Sequence, residues 1–232
     1  MRRDVRGACG TVANHPVSVS TATDYIGAMM ATTHALVGAA IAAATATAYP
    51  EIAPLALVAA VAGSVFPDLD LYAGHRRTLH YPVYYWVALA AALAVAALSS
   101  TPLAVAAVLF LLGAAIHSVM DAFGGGLELR PWEGNSDRAV YDHLNGRWLP
   151  PRRWVAYDGA PEDLLLAGLL SAPAFLVFGG EPLVRGGLLG VLAVSTAWVL
   201  LRRRVATVSE RFVTVVPEPL RAYVPERFLA AR

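Results

Sequence analysis

The sequence predicts an all-α membrane protein: a polytopic helical bundle of about six spans in three hairpins, with a cytoplasmic loop between the fourth and fifth spans. Three observations predict it. Hydrophobic residues fill 57% of the 232 positions and charged residues only 15%, whereas a soluble domain carries nearer a quarter charged. Mean hydropathy is +0.53. The apolar residues also gather in runs approaching the roughly 20 that a helix needs to cross the hydrocarbon core, and turn residues separate the runs.

The strongest apolar region, 83–120, contains no Asp, Glu, Lys or Arg. The sequence SSTP at 99–102 divides it into two helices, 83–98 and 102–120. An Ala/Val-rich pair, 31–49 and 52–66, precedes it and turns at Pro50 and Glu51. A third pair, 164–178 and 183–201, turns at GGEP. These three hairpins form an expected membrane domain over 31–201, with a cap loop at 121–163. Residues 1–30 form an expected disordered extension, and Met29 or Met30 is an equal alternative for the native start. Residues 202–232 form an expected cytoplasmic tail.

Charge orients the bundle. With both ends on one side, that side holds the N-terminus, 68–82, the cap loop and the tail. Every arginine except Arg185 falls there, including the cluster Arg202, Arg203 and Arg204. The positive-inside rule therefore places both termini in the cytoplasm and the chain in the inner or plasma membrane. An arginine in mid-span costs roughly 2.5–3.5 kcal/mol on insertion scales, and the proposed spans contain none in their middles. The cap also holds Trp132, Trp148, Trp154, Tyr141 and Tyr157, a composition suited to the headgroup level.

Several classes of partner and chemistry drop out early. A net charge of +1 with no lysine gives no footprint for nucleic acid. Cys9 is the single cysteine, which excludes an internal disulfide and zinc sites built on several thiolates. No apolar run follows the basic N-terminal residues, so there is no signal-peptide pattern.

The chemistry lies in four separated segments. His34 opens the first span. Asp68, Asp70, His75 and His80 run from the end of the second to the start of the third, and His117 and Asp121 end the fourth. An up-down bundle brings those four places to one membrane face. His117 and Asp121, at i and i+4, share one side of a helix, and Pro67 leaves Asp68 and Asp70 on a bend. Imidazoles and carboxylates beside hydrocarbon are costly unless paired, hydrated or bound to metal. A mixed His/carboxylate set suits Zn²⁺, Mn²⁺ or Fe²⁺ better than Mg²⁺ or Ca²⁺, and seven groups suffice for one or two ions. The expected ligands are His34, Asp68, His80, His117 and Asp121. Asp70 or His75 is the outer-shell orienter or the general base. Arg76 and Arg77 would neutralise a phosphate. His15 and His143 lie outside the four segments, and Asp142 and Asp158 in the cap read as structural.

The segments THALVG, FPDLD, HRRTLH and HSVMDAFG resemble the signatures of the YdjM-like family, LexA-regulated, inner-membrane-associated proteins regarded as metal-dependent hydrolases. The likeness covers about 31–126, with a looser match in span pattern to about 201. It implies a metal-dependent membrane hydrolase and carries over to His34, Asp68, Asp70, His75, His80, His117 and Asp121. A fainter similarity reaches zinc-dependent phospholipase C and single-strand nuclease enzymes. The interfacial position points to a lipid, a small molecule or a lipid-linked phosphoester as substrate, attacked by metal-activated water. A non-catalytic metal-binding or metal-transport protein and a haem-binding membrane protein are the alternatives; the carboxylates weigh against haem.

Overall fold

The computed structural model describes residues 29–72, 74–99 and 101–218. The extension ahead of Met29, with the question of its start, and the last part of the tail lie outside them. The described residues form six long helices: α1 (Ala31–Ala48), α2 (Ala53–Val65), α3 (Tyr84–Ser99), α4 (Pro102–Phe123), α5 (Pro161–Phe178) and α6 (Pro182–Val215). The expected hairpins are α1/α2, α3/α4 and α5/α6. Prolines open several of these helices, where the missing N–H goes unused and φ is already helical: Pro54 in α2, Pro102 in α4 and Pro161 in α5. Thr101 adds a cap to α4, its side chain accepting from the Ala104 N–H at 3.2 Å.

Among the described residues, five stretches are long and apolar enough to cross a membrane: Ala31–Ala48, Pro50–Leu71, Pro102–Phe123, Pro161–Phe178 and Pro182–Phe212. The remaining helix, Tyr84–Ser99, is equally apolar but shorter; its 16 residues span about 24 Å at 1.5 Å each, against a core of about 30 Å. Only Tyr85 and Leu89 of α3 are buried, so apolar side chains ring its exposed surface. Leu98, Leu103, Leu176 and Leu183 flank the SSTP and GGEP turns, and each is at least 80% exposed. Contiguous apolar surface of this kind needs a non-aqueous neighbour, and lipid supplies one.

The helices pack in the neighbour order α3, α4, α2, α1, α5, α6. The α2–α4 contact rests on small residues. A Cβ at Gly63 would stand 2.0 Å from the Phe110 carbonyl oxygen, and one at Gly113 would stand 2.7 Å from the Ser64 nitrogen. Backbone therefore lies against backbone, the close approach that small residues permit between membrane helices. This contact sets the end of α2 beside the last turns of α4.

Two helix ends differ from expectation. The helix of α4 continues past Met120 to Phe123, so Asp121 projects from a regular turn. The long helix α6 runs through Arg202, Arg203 and Arg204 to Val215. Those arginines do not stop the helix, because no Pro or Gly follows until Pro217. Its 34 residues extend about 50 Å.

The part of α6 from Arg202 onward serves as a post for the cap. The cap carries an antiparallel hairpin, β1 (Val140–Asp142) with β2 (Arg147–Leu149). Asp142 ties its turn, accepting from the Leu144 and Asn145 N–H groups and from the Asn145 amide. The Asn145 hydrogen bond holds the Asp142 carboxyl below its ordinary range. Arg130 pairs with Glu210, and Arg202 with Asp158, joining cap to α6.

Candidate metal centre

Asp68, His80, His117 and Asp121 meet at one point. One ligand atom from each lies within 4.8 Å of all the others. Asp68 comes from the tight turn Phe66–Tyr72 that follows α2. His80 comes from the loop before α3, and His117 and Asp121 come from the last turns of α4. The i, i+4 spacing sets His117 Nε2 3.5 Å from Asp121 Oδ2.

Hydrogen bonds outside the cluster decide which nitrogens face inward. His117 Nδ1 donates to the Ser64 carbonyl oxygen at 2.6 Å. A carbonyl can only accept, so Nδ1 carries the proton and Nε2 of the neutral ring presents its lone pair. His80 Nδ1 donates to Asp70 Oδ2 at 3.0 Å, with the same result. The two Nε2 atoms then stand 3.1 Å apart. Asp121 Oδ2 is 2.9 Å from that of His80, and Asp68 Oδ1 is 3.5 Å from that of His117. In these tautomers four acceptor atoms face one another with no hydrogen between them. A cation relieves that repulsion. Ligands about 2.0–2.2 Å from a tetrahedral ion lie roughly 3.3–3.6 Å apart, and the contacts here, at 2.9, 3.1 and 3.5 Å, lie near that spacing. The residues present therefore fit a divalent ion.

Asp70 is an orienter. Its Oδ1 accepts from His75 Nδ1 at 2.9 Å and the Arg76 N–H at 3.3 Å; its Oδ2 accepts from His80 Nδ1 and the Leu79 N–H, both at 3.0 Å. With four donors on it, the carboxylate holds the 75–80 loop and one imidazole in place. Replacing it in Asp70→Asn is expected to weaken metal affinity by about 10–100-fold, the usual effect of losing a ligand's supporting partner. Equilibrium dialysis with a competing chelator measures it; unchanged affinity would remove Asp70 from the supporting shell.

The other expected residues take separate positions. His34 stands outside the four-atom group. Its Nε2 donates to Asp121 Oδ1 at 3.0 Å, and its ring stacks on His117 at 3.7 Å between centroids. The buried His34 Nδ1 has no hydrogen-bond partner. Arg76 is fully buried, with φ +59°. Its Nη1 donates to the Gly125 and Ala139 carbonyls at 3.1 and 3.2 Å. Its Nε faces Asp121 Oδ2 at 3.7 Å, while Nε and Nη2 lack hydrogen-bond partners. Arg77 is exposed and lies over the Tyr141 ring at 4.6 Å. Burial pushes the His75 imidazole and the Arg76 guanidinium below their ordinary values, opposed by Asp70 and Asp121 respectively.

Sequence reasoning missed two supports. The Ser64 carbonyl is invisible to a reading based on side chains. Asp163 of α5 accepts from the Met30 N–H at 2.8 Å, Thr33 Oγ1 at 2.7 Å and the Gly159 N–H at 3.2 Å. It thereby pins the start of α1, and with it His34, to α5. An Asp at the head of an apolar run, beside Glu162, was the available signal. Asp158, read as structural, pairs with Arg202; burial pushes its carboxyl above the ordinary range, and Arg202 opposes that shift.

No protein-family model, curated protein or solved structure matches the chain.

Proposed function

We propose that this protein is a membrane-embedded, metal-dependent hydrolase of the YdjM-like family that cleaves a phosphoester of a lipid or lipid-linked substrate. The observation that carries the proposal is the convergence of two inward-facing imidazole nitrogens and two carboxylates at one buried point. Asp68, His80, His117 and Asp121 would hold the ion, Zn²⁺ or Mn²⁺ by ligand type. A divalent ion bound there supplies charge that polarises a phosphoryl oxygen and lowers the pKa of water to about 7.

The chain's own residues do the rest. Ser64 and Asp70 hold the two ligand imidazoles in one tautomer. His34 orients Asp121. His75 donates a hydrogen bond from Nδ1 to Asp70, so Nδ1 keeps its proton and Nε2 is the atom that takes one as general base. Arg76, buried with unused donors beside Asp121, balances phosphate charge. Arg77 serves the cap through Tyr141. The arginines of the cap and of α6 gather at the site's end of the bundle, which supports a cytoplasmic site in the inner or plasma membrane.

Metal transport fits less well. Beyond His117 the buried face of α4 continues as Ala115, Ala114, Gly113 and Leu109, with no polar relay toward the other end. A haem would have to pass between imidazole nitrogens only 3.1 Å apart.

Metal analysis of protein purified without chelator, followed by assays on phospholipid and phosphodiester substrates, tests the reading. One or two equivalents of Zn²⁺ or Mn²⁺ are expected, with turnover lost to chelator and restored by the ion. Stoichiometric metal without turnover of any phosphoester would favour the non-catalytic alternative. Absence of metal would remove the basis of the enzyme reading.

A further inference from the structure

A cavity of about 280 Å³ adjoins the metal centre. Met30, Leu71, Val194 and Trp198 form apolar walls, and Asp68 and His75 stand at its polar end. Asp68 is the member of the metal cluster that reaches this space. Its side chain is 20% exposed, while those of His80, His117 and Asp121 are fully buried. Approach to the centre therefore runs through the cavity. Val194 and Ala31, both exposed, bring the cavity to the surface between α1 and α6. There the Ser195 hydroxyl donates to Thr32 Oγ1 at 2.8 Å. Leu189 and Leu200 lie exposed on the same helix as Val194, within an apolar stretch long enough to cross a membrane. The mouth therefore meets hydrocarbon.

We infer that this cavity holds the hydrocarbon chain of an anionic phosphoester that enters sideways from the bilayer between α1 and α6, its head group lodged at Asp68, His75 and the metal; this rests on the hydrolase reading above. Arg76 supplies the buried positive charge that the head group requires. Thr32 and Asp158 also line the cavity, Asp158 being tied to Trp198 and Arg202; the remaining walls are apolar and read the chain's length and bulk. The volume takes on the order of ten methylene-sized groups at roughly 30 Å³ each, about the volume of a water molecule in the liquid.

The test uses the metal-loaded full chain in nanodiscs. The probes are non-hydrolysable n-alkyl phosphonates of increasing length, brominated at the terminal carbon. Quenching of Trp198, identified by its loss in Trp198→Phe, reports the chain. Quenching is expected to be strongest for chains whose terminal bromine lies inside the cavity beside Trp198 and to fall beyond roughly ten carbons, as the chain end passes out into the bilayer. Val194→Phe, which fills the mouth, should shift that maximum several carbons shorter. Leu189→Phe, on the same helix away from the cavity, should follow the wild type, and metal content confirms that each variant is folded. Quenching independent of chain length would overturn the inference. So would the same length profile in wild type and Val194→Phe, because bromine in the surrounding bilayer alone gives that result. Turnover is not the readout: a protein that binds the chain but cleaves nothing would overturn the hydrolase reading and leave this assignment standing.

Discussion

Asp121→Ala is expected to lose bound metal, to reduce turnover to the level of chelator-stripped protein, and to destabilise the fold by about 3–5 kcal/mol. The three losses share one origin. Asp121 accepts from His34, approaches His80 and His117, and faces the Arg76 guanidinium at 3.7 Å, all without exposure to solvent. Its removal takes a carboxylate from the ion and leaves Arg76 buried without its nearest counter-charge. Loss of one partner of a buried pair is more damaging than loss of both. The double variant Asp121→Ala/Arg76→Met should therefore recover most of the stability while still failing to bind metal. Chemical denaturation in detergent and metal analysis on the same samples separate the two effects. Wild-type metal content in Asp121→Ala would contradict the proposed centre. A double variant no more stable than the single one would contradict the role given to Arg76.

The second large effect lies outside the centre. Asp158→Ala should destabilise by about 3–5 kcal/mol by releasing the cap from α6. Arg202 Nε reaches both Asp158 oxygens at 3.0 and 2.9 Å, and its Nη2 donates to the Leu129 carbonyl at 3.2 Å. The guanidinium also lies 5.5 Å from the Trp132 ring and 5.6 Å from Trp198. Without Asp158 this cation stays buried among aromatic rings with one carbonyl as its partner. Replacing both members with apolar residues of similar volume, Asp158→Leu/Arg202→Met, should bring stability back near the wild type. Limited proteolysis of the cap gives a second readout, with faster cleavage expected in Asp158→Ala. If the single variant unfolds within about 0.5 kcal/mol of wild type, as an ordinary surface substitution does, the cap is held by other contacts.

Much of the architecture could be read from hydropathy because a membrane helix must satisfy its backbone internally and face an apolar solvent. That requirement writes long apolar runs into the sequence, and the SSTP and GGEP turns divide them. Helix ends were less legible. Asp121 looked like the first residue beyond a span, yet it belongs to α4. The arginines at 202–204 looked like the start of a tail, yet α6 continues to Val215. Charge marks where hydrocarbon contact stops, whereas backbone hydrogen bonding stops only at a residue that cannot sustain it.

The candidate site divides along a similar line. The residue types and the up-down order of the helices were enough to bring Asp68, His80, His117 and Asp121 to one face. They could not separate ligand from support. Asp70 and His34 carry the same chemical groups as the four, and only the direction of their hydrogen bonds sets them apart. Arg76 and Arg77 are adjacent, yet a positive φ at Arg76 accompanies a guanidinium buried beside Asp121, while Arg77 lies on Tyr141.

By itself, then, the sequence determined the class of fold, the pairing of helices and the face on which the His and Asp residues gather, because these follow from one-dimensional patterns of hydropathy and charge. The tertiary structure alone decided which imidazole nitrogens point inward, which carboxylates gather beside them and where a cavity opens next to Asp68 and His75. These depend on ångström-scale contacts between segments far apart in the chain, such as the Ser64 carbonyl against His117 and the glycine-tight approach of α2 to α4, and no local pattern encodes them.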